Sequence, residues 1–256
     1  MQDVARPHLL AYKEELLAAG RSTLSVSSYI TSVRLFYEWT EANRYYPNVA
    51  KGIRSPRRRR AFRKQPLTPE QCTLLLDNMA AGSSRRDYAI VNLLLRTGLR
   101  TIELASLDAG DVQYMSGHRV LRIRGKAHHD KDNFVKLTAK AYEPIAQYLA
   151  GTHRPAGAPL FPSESNNSKG ARMTTRTVSG IVKQALRAMG LDDRSFTAHS
   201  LRHTAIVNCR RAGATPEQAQ AMARHASPAT TQIYDSFFRD EQRLNAAAED
   251  LIDTLY

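Results

Sequence analysis

Apolar residues recur at helical spacing along most of the chain, and the pattern turns to period two in one stretch only. From Val4 to Ala19 they fall three and four apart and stop at Gly20, which predicts a helix with a glycine C-cap. Ser22-Thr23 opens a second predicted helix through Trp39, with Leu24, Tyr29, Val33, Leu35, Phe36 and Trp39 expected on its buried face. Thr68-Pro69-Glu70-Gln71 supplies an N-cap threonine, a proline at the first helical position and a glutamine that completes a capping box. A helix is predicted from there to about Met79, and another over Arg86 to Thr97, closed by Gly98. Val120-Leu121-Arg122-Ile123-Arg124 then alternates, and Asn133 to Leu137 is a second strand-like run. These predict a small antiparallel sheet with Gly117 and Gly125 at turns. Helices resume over Thr138–Leu149, Thr175–Met189, Ser200–Ala212, Thr215–Ala223 and Asp240–Leu251. Gly151 to Gly170, rich in Pro, Ser, Asn and Gly, is expected to be a mobile surface loop. The fold class expected is mainly α with a small antiparallel β-sheet (α+β).

Charge changes the picture at one place in particular. Seven basic residues, Arg54, Arg57, Arg58, Arg59, Arg60, Arg63 and Lys64, follow one another without an intervening acid. A run of that kind repels itself and reads as an extended linker, either a solvated tether or a strap lying on phosphates. It divides the 256 residues into a helical segment 1–53, a basic linker 54–66 and a larger domain 67–256. The formal net charge of +13 favours a polyanionic partner, with double-stranded DNA as the leading expectation, and favours the strap over the tether. Cys72 and Cys209 lie far apart and belong to no Cys/His array, so neither a zinc site nor any other metal or cofactor is expected. His128-His129-Asp130 is a weak metal motif, because adjacent histidines on a hairpin seldom converge on one ion. No basic leader followed by an apolar stretch opens the chain, and no segment approaches the roughly 18 apolar residues of a membrane span. A cytoplasmic protein is expected, with no membrane partner.

The chemistry is carried by six residues: Arg100, Lys126, His199, Arg202, His225 and Tyr234. His225 lies nine residues before Tyr234, and Arg202 lies 23 before His225. A phosphodiester repels nucleophiles through its two negative oxygens. Cleaving it without metal takes fixed cations on those oxygens, an in-line nucleophile and a proton for the leaving oxygen. Arginine suits the first task because its planar fork never loses its charge. His199 and Arg202 stand i, i+3 and share one helical face, and Glu103 stands one turn from Arg100, where it can hold the guanidinium. Arg122, Arg124 and Lys126 share strand parity, with Lys131 a competitor for the role of proton donor.

Taken singly, each motif is weak. In this order and spacing, and with Ser227-Pro228-Ala229-Thr230-Thr231-Gln232-Ile233-Tyr234 running into the tyrosine, the chain resembles the tyrosine recombinase (phage integrase) family, Xer recombinases in particular, over nearly its whole length. The resemblance implies a helical core-binding domain followed by a tyrosine-recombinase catalytic fold. It implies that the chain begins inside the core-binding domain, so that residues 1–53 are a partial one. It also implies that Tyr234 attacks a DNA phosphate to leave a 3′-phosphotyrosine and a free 5′-hydroxyl, without ATP. Arg100 and Arg202 would clamp the phosphate, His199 would exchange a proton near the nucleophile, His225 would touch the phosphate, and Lys126 would protonate the leaving group. His203, beside Arg202, would pack in the core. The family pattern has Gly-His where this chain has Arg224-His225, a departure in the local turn. The implied assembly is a homo-tetramer on synapsed DNA, with Asp240–Leu251 docked on a neighbouring subunit. An excisionase or an architectural DNA-bending protein is a candidate accessory partner, and a mobile element a candidate source. A type IB topoisomerase and a non-catalytic DNA-binding remnant are the competing readings. The Xer-like spacing weighs against the first, and the full residue set weighs against the second.

Overall fold

The computed structural model describes residues 4–56, 64–124 and 131–255. The chain divides into two compact units, Met1–Ala61 and Phe62–Tyr256.

In the first unit, α1 (Arg6–Ala18) and α2 (Thr23–Ala42) pack on each other. The Ser22 hydroxyl caps α2 by accepting from the Ser25 amide at 3.1 Å. The buried face of α2 differs from the expected one. Val26, Ile30, Tyr37 and Thr40 are buried and Val33 packs against them, whereas Leu24, Tyr29, Leu35, Phe36 and Trp39 are exposed. Positions 26, 30, 33, 37 and 40 form one stripe at helical spacing. The stripe runs through Thr40, which is tolerated inside because its hydroxyl donates to the Tyr37 carbonyl at 3.0 Å. Choosing the most hydrophobic residues, and not those at one angular position, selected the wrong side.

The second unit begins with α3 (Pro69–Gly82), opened by the predicted Thr68–Gln71 capping box, and α4 (Arg85–Thr97). Ile90, Val91, Leu93, Leu94 and Leu95 are all buried, so α4 is covered on every side, by α3 and by three later helices, α6 (Ala139–Leu149), α7 (Thr175–Arg187) and α8 (Ala198–Arg211). It ends at Gly98 in the left-handed conformation (φ 60°). The backbone conformation favours glycine there, and a side chain would also bring a Cβ to a tight 3.3 Å from that of Ala205. A short α5 (Thr101–Ala105) follows.

The sheet has three antiparallel strands in the order β1 (Val112–Met115), β2 (His118–Ile123), β3 (Asn133–Lys136). The turn from β1 to β2 uses Ser116 and Gly117, both at positive φ, as a two-residue hairpin of the twist-matched kind needs. Leu121 pairs with Val135 on the core side. The segment Gly151–Gly170 is largely an exposed loop, as expected, but its centre is anchored in the core. Leu160 and Phe161 are core residues, the Leu160 amide donates to the Leu107 carbonyl at 2.9 Å, and Asp108 bridges to Pro159. Two apolar residues in a polar stretch were enough to anchor it.

The remaining helices are α9 (Pro216–Ala223), α10 (Pro228–Asn245) and α11 (Ala248–Ile252). The helix expected over Asp240–Leu251 is thus divided. Its first part continues α10, which starts at Pro228 and carries Tyr234, and the chain breaks at Ala246 before α11. Among the described residues, no helix is long and apolar enough to cross a membrane.

Candidate active site

Two left-handed turns build the site. The first is Gly98, which delivers Arg100 as the N-cap of α5. The second is Arg224 at the end of α9 (φ 55°), which delivers His225. A non-glycine residue in that conformation costs about 1 kcal/mol or more. Between the turns lies α8, whose N-terminus is closed by a Thr197–Ser200 capping box and which carries His199, Arg202 and His203.

Arg202 is buried and spans both turns, donating to the Gly98 carbonyl at 2.5 Å and to the Ala223 carbonyl. Glu103 Oε1 accepts from the Arg100 guanidinium at 2.6 Å, and Oε2 accepts both the Arg100 amide and Arg224, each at 2.8 Å. Burial pushes the Glu103 carboxyl up, but the Arg224 charge and the hydrogen bonds from Arg100 and Arg224 outweigh it, leaving it below the usual carboxylate range. Burial first, then the Arg100 and Arg224 charges, bring Arg202 down to about 10, still cationic at neutral pH.

Tyr234 is buried on α10 at 4 % exposure, between two histidine rings. His203 meets it edge-on with centroids 5.1 Å apart, and His225 lies nearly parallel at 5.7 Å. His199 in turn meets His203 edge-on at 4.6 Å. Nδ1 of His225 shares a 2.9 Å hydrogen bond with the Thr231 hydroxyl, which fixes the ring and leaves Nε2 for another partner. Burial, then neighbouring positive charge, lowers His225 to about 4. His203 falls to about 3 through burial, then His199 and Arg202. His199 is the exposed one of the three, yet it too is lowered, by partial desolvation of its packed side and by Arg202, Arg100 and Lys64. Burial raises Tyr234 above an ordinary phenol, with Arg202 and Arg100 opposing. At neutral pH the arrangement is therefore cationic arginines, neutral imidazoles and a protonated phenol.

Arg100, His199 and Arg202 also line a cleft of about 880 Å³, together with Lys64, Lys183 and Arg194. Five of the six sequence-predicted residues thus belong to one site. Lys126, the turn expected at Gly125, the His128-His129-Asp130 motif, and Arg57, Arg58, Arg59, Arg60 and Arg63 of the basic run lie outside the described residues. Lys131 is held by Asp108 at 2.6 Å and by Asp111, so its charge is already matched. Three residues were undervalued by the sequence: Arg224, noted as a turn anomaly, Thr231, and His203, which touches the tyrosine. Arg224 and His203 stand next to His225 and Arg202 in the chain, and Thr231 stands three places before Tyr234, which was the available signal.

Residues 65–239 match the phage integrase family. The tyrosine recombinase XerC of Corynebacterium efficiens is 32 % identical over 232 residues, covering 89 % of this chain and 72 % of the relative. The XerH recombinase in a post-cleavage complex with a palindromic difH substrate superposes with a TM-score of 0.78 at 18 % identity, covering 98 % of this chain and 74 % of that one, a likeness of fold. The XerA recombinase gives a TM-score of 0.57 at 25 % identity, covering 96 % and 84 %. The chain belongs to the phage integrase family. Its activity is that of a site-specific tyrosine recombinase, an enzyme that cuts and rejoins DNA.

Proposed function

We propose that Tyr234 is the nucleophile that cleaves one strand of a double-stranded DNA site, with Arg100 and Arg202 on the scissile phosphate. The observation that carries this is the convergence, from α5, α8, α10 and the turn before α10, of two guanidiniums and two imidazoles around one buried tyrosine. The phenolic oxygen attacks phosphorus and the bond to the 5′-oxygen breaks, giving a 3′-phosphotyrosyl link and a 5′-hydroxyl. Tyr234 is protonated at rest, so it must lose its proton as it attacks. His199, neutral and on the cleft, is suited to accept it. His225, with Nδ1 turned to Thr231, offers Nε2–H to a phosphate oxygen. Lys126 is assigned the proton for the leaving oxygen, a role for which Lys131 is poorly placed because two aspartates engage it. Attack by a second 5′-hydroxyl on the phosphotyrosine reverses the step and rejoins the strand, with no need for ATP or metal.

The assembly belongs to the same reading. On synapsed DNA the enzyme would act as a homo-tetramer in the cytoplasm, with an excisionase or a DNA-bending protein as accessory. Leu251 and Leu255 are exposed on the last segment of the chain, which supports their docking on a neighbouring subunit. Glu241 pairs with Arg211 of α8, so α10 up to that point serves its own fold, and the exchanged part would start beyond Asn245. The decisive experiment offers the protein a nicked suicide duplex from which the cleaved end diffuses away, then looks for a covalent adduct on a denaturing gel. An adduct mapped to Tyr234 is expected. Binding without adduct would favour a DNA-binding remnant. Deleting residues 246–256 should leave the adduct and remove the tetramer.

A further inference from the structure

Arg224 holds a backbone conformation natural to glycine, yet its side chain turns inward, with only 8 % of it exposed. Its guanidinium lies 2.8 Å from Glu103 Oε2, 3.3 Å from the Gly98 carbonyl and 2.5 Å from the Met222 carbonyl. Each of the first two partners is shared. Glu103 carries Arg100 on its other oxygen, and the Gly98 carbonyl also receives Arg202. The Arg100 guanidinium also donates to the Arg224 carbonyl at 3.5 Å, so the side chain of Arg224 is one group removed from both arginines while its backbone touches Arg100, and it is adjacent in the chain to His225.

We propose that Arg224 is a positioning residue for strand cleavage: through Glu103 and Gly98 it ties the turn bearing His225 to the turn bearing Arg100 and fixes the direction of the Arg100 guanidinium. The inference rests on the assignment of Arg100, His225 and Tyr234 given above. Two physical effects support it. With Oε2 filled by Arg224 and the Arg100 amide, only Oε1 is left to the Arg100 guanidinium, so Arg100 keeps donors for a phosphate. Without Arg224, both oxygens could close on Arg100 as a fork-to-fork pair and draw it from the DNA. Second, Arg224 matches the Glu103 charge inside the protein, where screening is weak, so Arg100 presents its full charge to the phosphate. Its charge also helps hold His225 neutral, in the state proposed to donate from Nε2.

The test uses the full chain and a nicked suicide duplex selected from a randomised pool by covalent capture on the parent protein. Single-turnover adduct formation at saturating duplex and the Kd for the same duplex are measured for Arg224→Gly, Arg224→Lys, Glu103→Gln and the Arg224→Gly/Glu103→Gln pair. Arg224→Gly should slow adduct formation by about tenfold to a hundredfold, the scale of a small misplacement of catalytic groups, with Kd little changed. Arg224→Lys, which keeps the charge and reaches Glu103, should recover part of the rate. In the Glu103→Gln background the glycine change should cost far less, because the two residues act as one unit. A glycine variant that cleaves at the parent rate overturns the proposal, as does an equal loss in both backgrounds. Should the glycine variant fail to fold, Arg224→Met against Arg224→Lys decides, and equal rates overturn it. If the parent captures no duplex at all, the chemistry assigned to Tyr234 fails and this inference falls with it.

Discussion

The unit Phe62–Tyr256 takes charge inside, with Glu103 at 4 % and Arg202 at 2 % exposure, while the unit Met1–Ala61 leaves Trp39 at 54 % and Leu35 at 60 %. Both depart from the rule of apolar residues inside and charged residues outside, in opposite directions. In the larger unit the charges buried at the site face partners: Arg202 has two carbonyls, Arg224 has Glu103, and Glu103 has two arginines and an amide. Such a cluster is poor value for stability, since each ion gives up several kcal/mol of hydration. Its retention is explained by what it fixes, a rigid array of donors at the edge of a cleft. In the smaller unit the exposed aromatics, Phe36, Trp39 and Tyr45, lie near one another on α2 and the residues after it, with Trp39 and Tyr45 centroids 5.4 Å apart. Their burial is not needed to hold α1 against α2, which Val26, Ile30 and Tyr37 do.

The largest expected effect separates chemistry from stability in the buried polar set. Tyr234→Phe removes one oxygen and leaves the ring between His203 and His225. It should abolish the covalent adduct, with DNA affinity retained and unfolding free energy changed by no more than about 1.5 kcal/mol. Adduct assays and urea denaturation check it together. Adduct surviving in this variant would place the nucleophile elsewhere.

The legibility of the chain follows the same division. The resemblance in order and spacing to the tyrosine recombinase family picked out Arg100, His199, Arg202, His225 and Tyr234, and local signals, Gly98 closing α4 and Ser200 near the start of α8, located the elements around the first three. Most helices of the larger unit were readable for the same reason. What could not be read was long-range. Arg224 looked like an anomaly because its partners, Glu103 and Gly98, lie more than a hundred residues away in the chain. Leu160 and Phe161 looked like loop because their neighbours, among them Leu107 and Tyr148, come from distant segments. The face of α2 was misread because hydrophobicity without angle does not define a stripe.

The second prediction concerns the stripe that does hold the small unit. Ile30→Ala should cost about 2–5 kcal/mol, the usual range for a buried aliphatic residue cut back to alanine. Helix content followed by circular dichroism through a urea titration measures it. A loss within error would mean that α1 and α2 are held by something other than this core.

The third is a pH dependence, and its sign follows from the histidines. His203 and His225 are lowered to about 3 and about 4, and His199 is lowered as well, all by burial first. Between those values and the ordinary histidine pKa near 6.5, the unfolded chain binds protons that the folded chain refuses. Their contribution to stability is complete above about 6.5 and is lost progressively as pH falls below it. Glu103, also depressed, adds a further loss at lower pH, below about 4.5 where the unfolded carboxyl protonates. Thermal melting of the catalytic unit should therefore weaken from pH 7 to pH 5, before any carboxylate titrates. A melting temperature flat over that interval would show that the imidazoles are not held neutral.

The smallest effect is the most direct probe of the contrast between the units. Trp39 is the largest apolar side chain in the chain, and hydrophobicity alone would make Trp39→Ser one of the most damaging substitutions in it. The structure gives the opposite expectation. More than half of the side chain already meets water, its ring contacts are with Phe36 and Tyr45, and both of these are themselves exposed. Removing it uncovers little core, and serine at an exposed helical position costs only its modest propensity deficit. The change in unfolding free energy should stay within about 0.5 kcal/mol, the range of ordinary surface substitutions. Measured beside Ile30→Ala in the same urea titration, it assigns the two faces of α2 by energy. A loss comparable to that of Ile30→Ala would mean that the aromatic side of α2 is covered in solution, and the two units would then obey one rule after all.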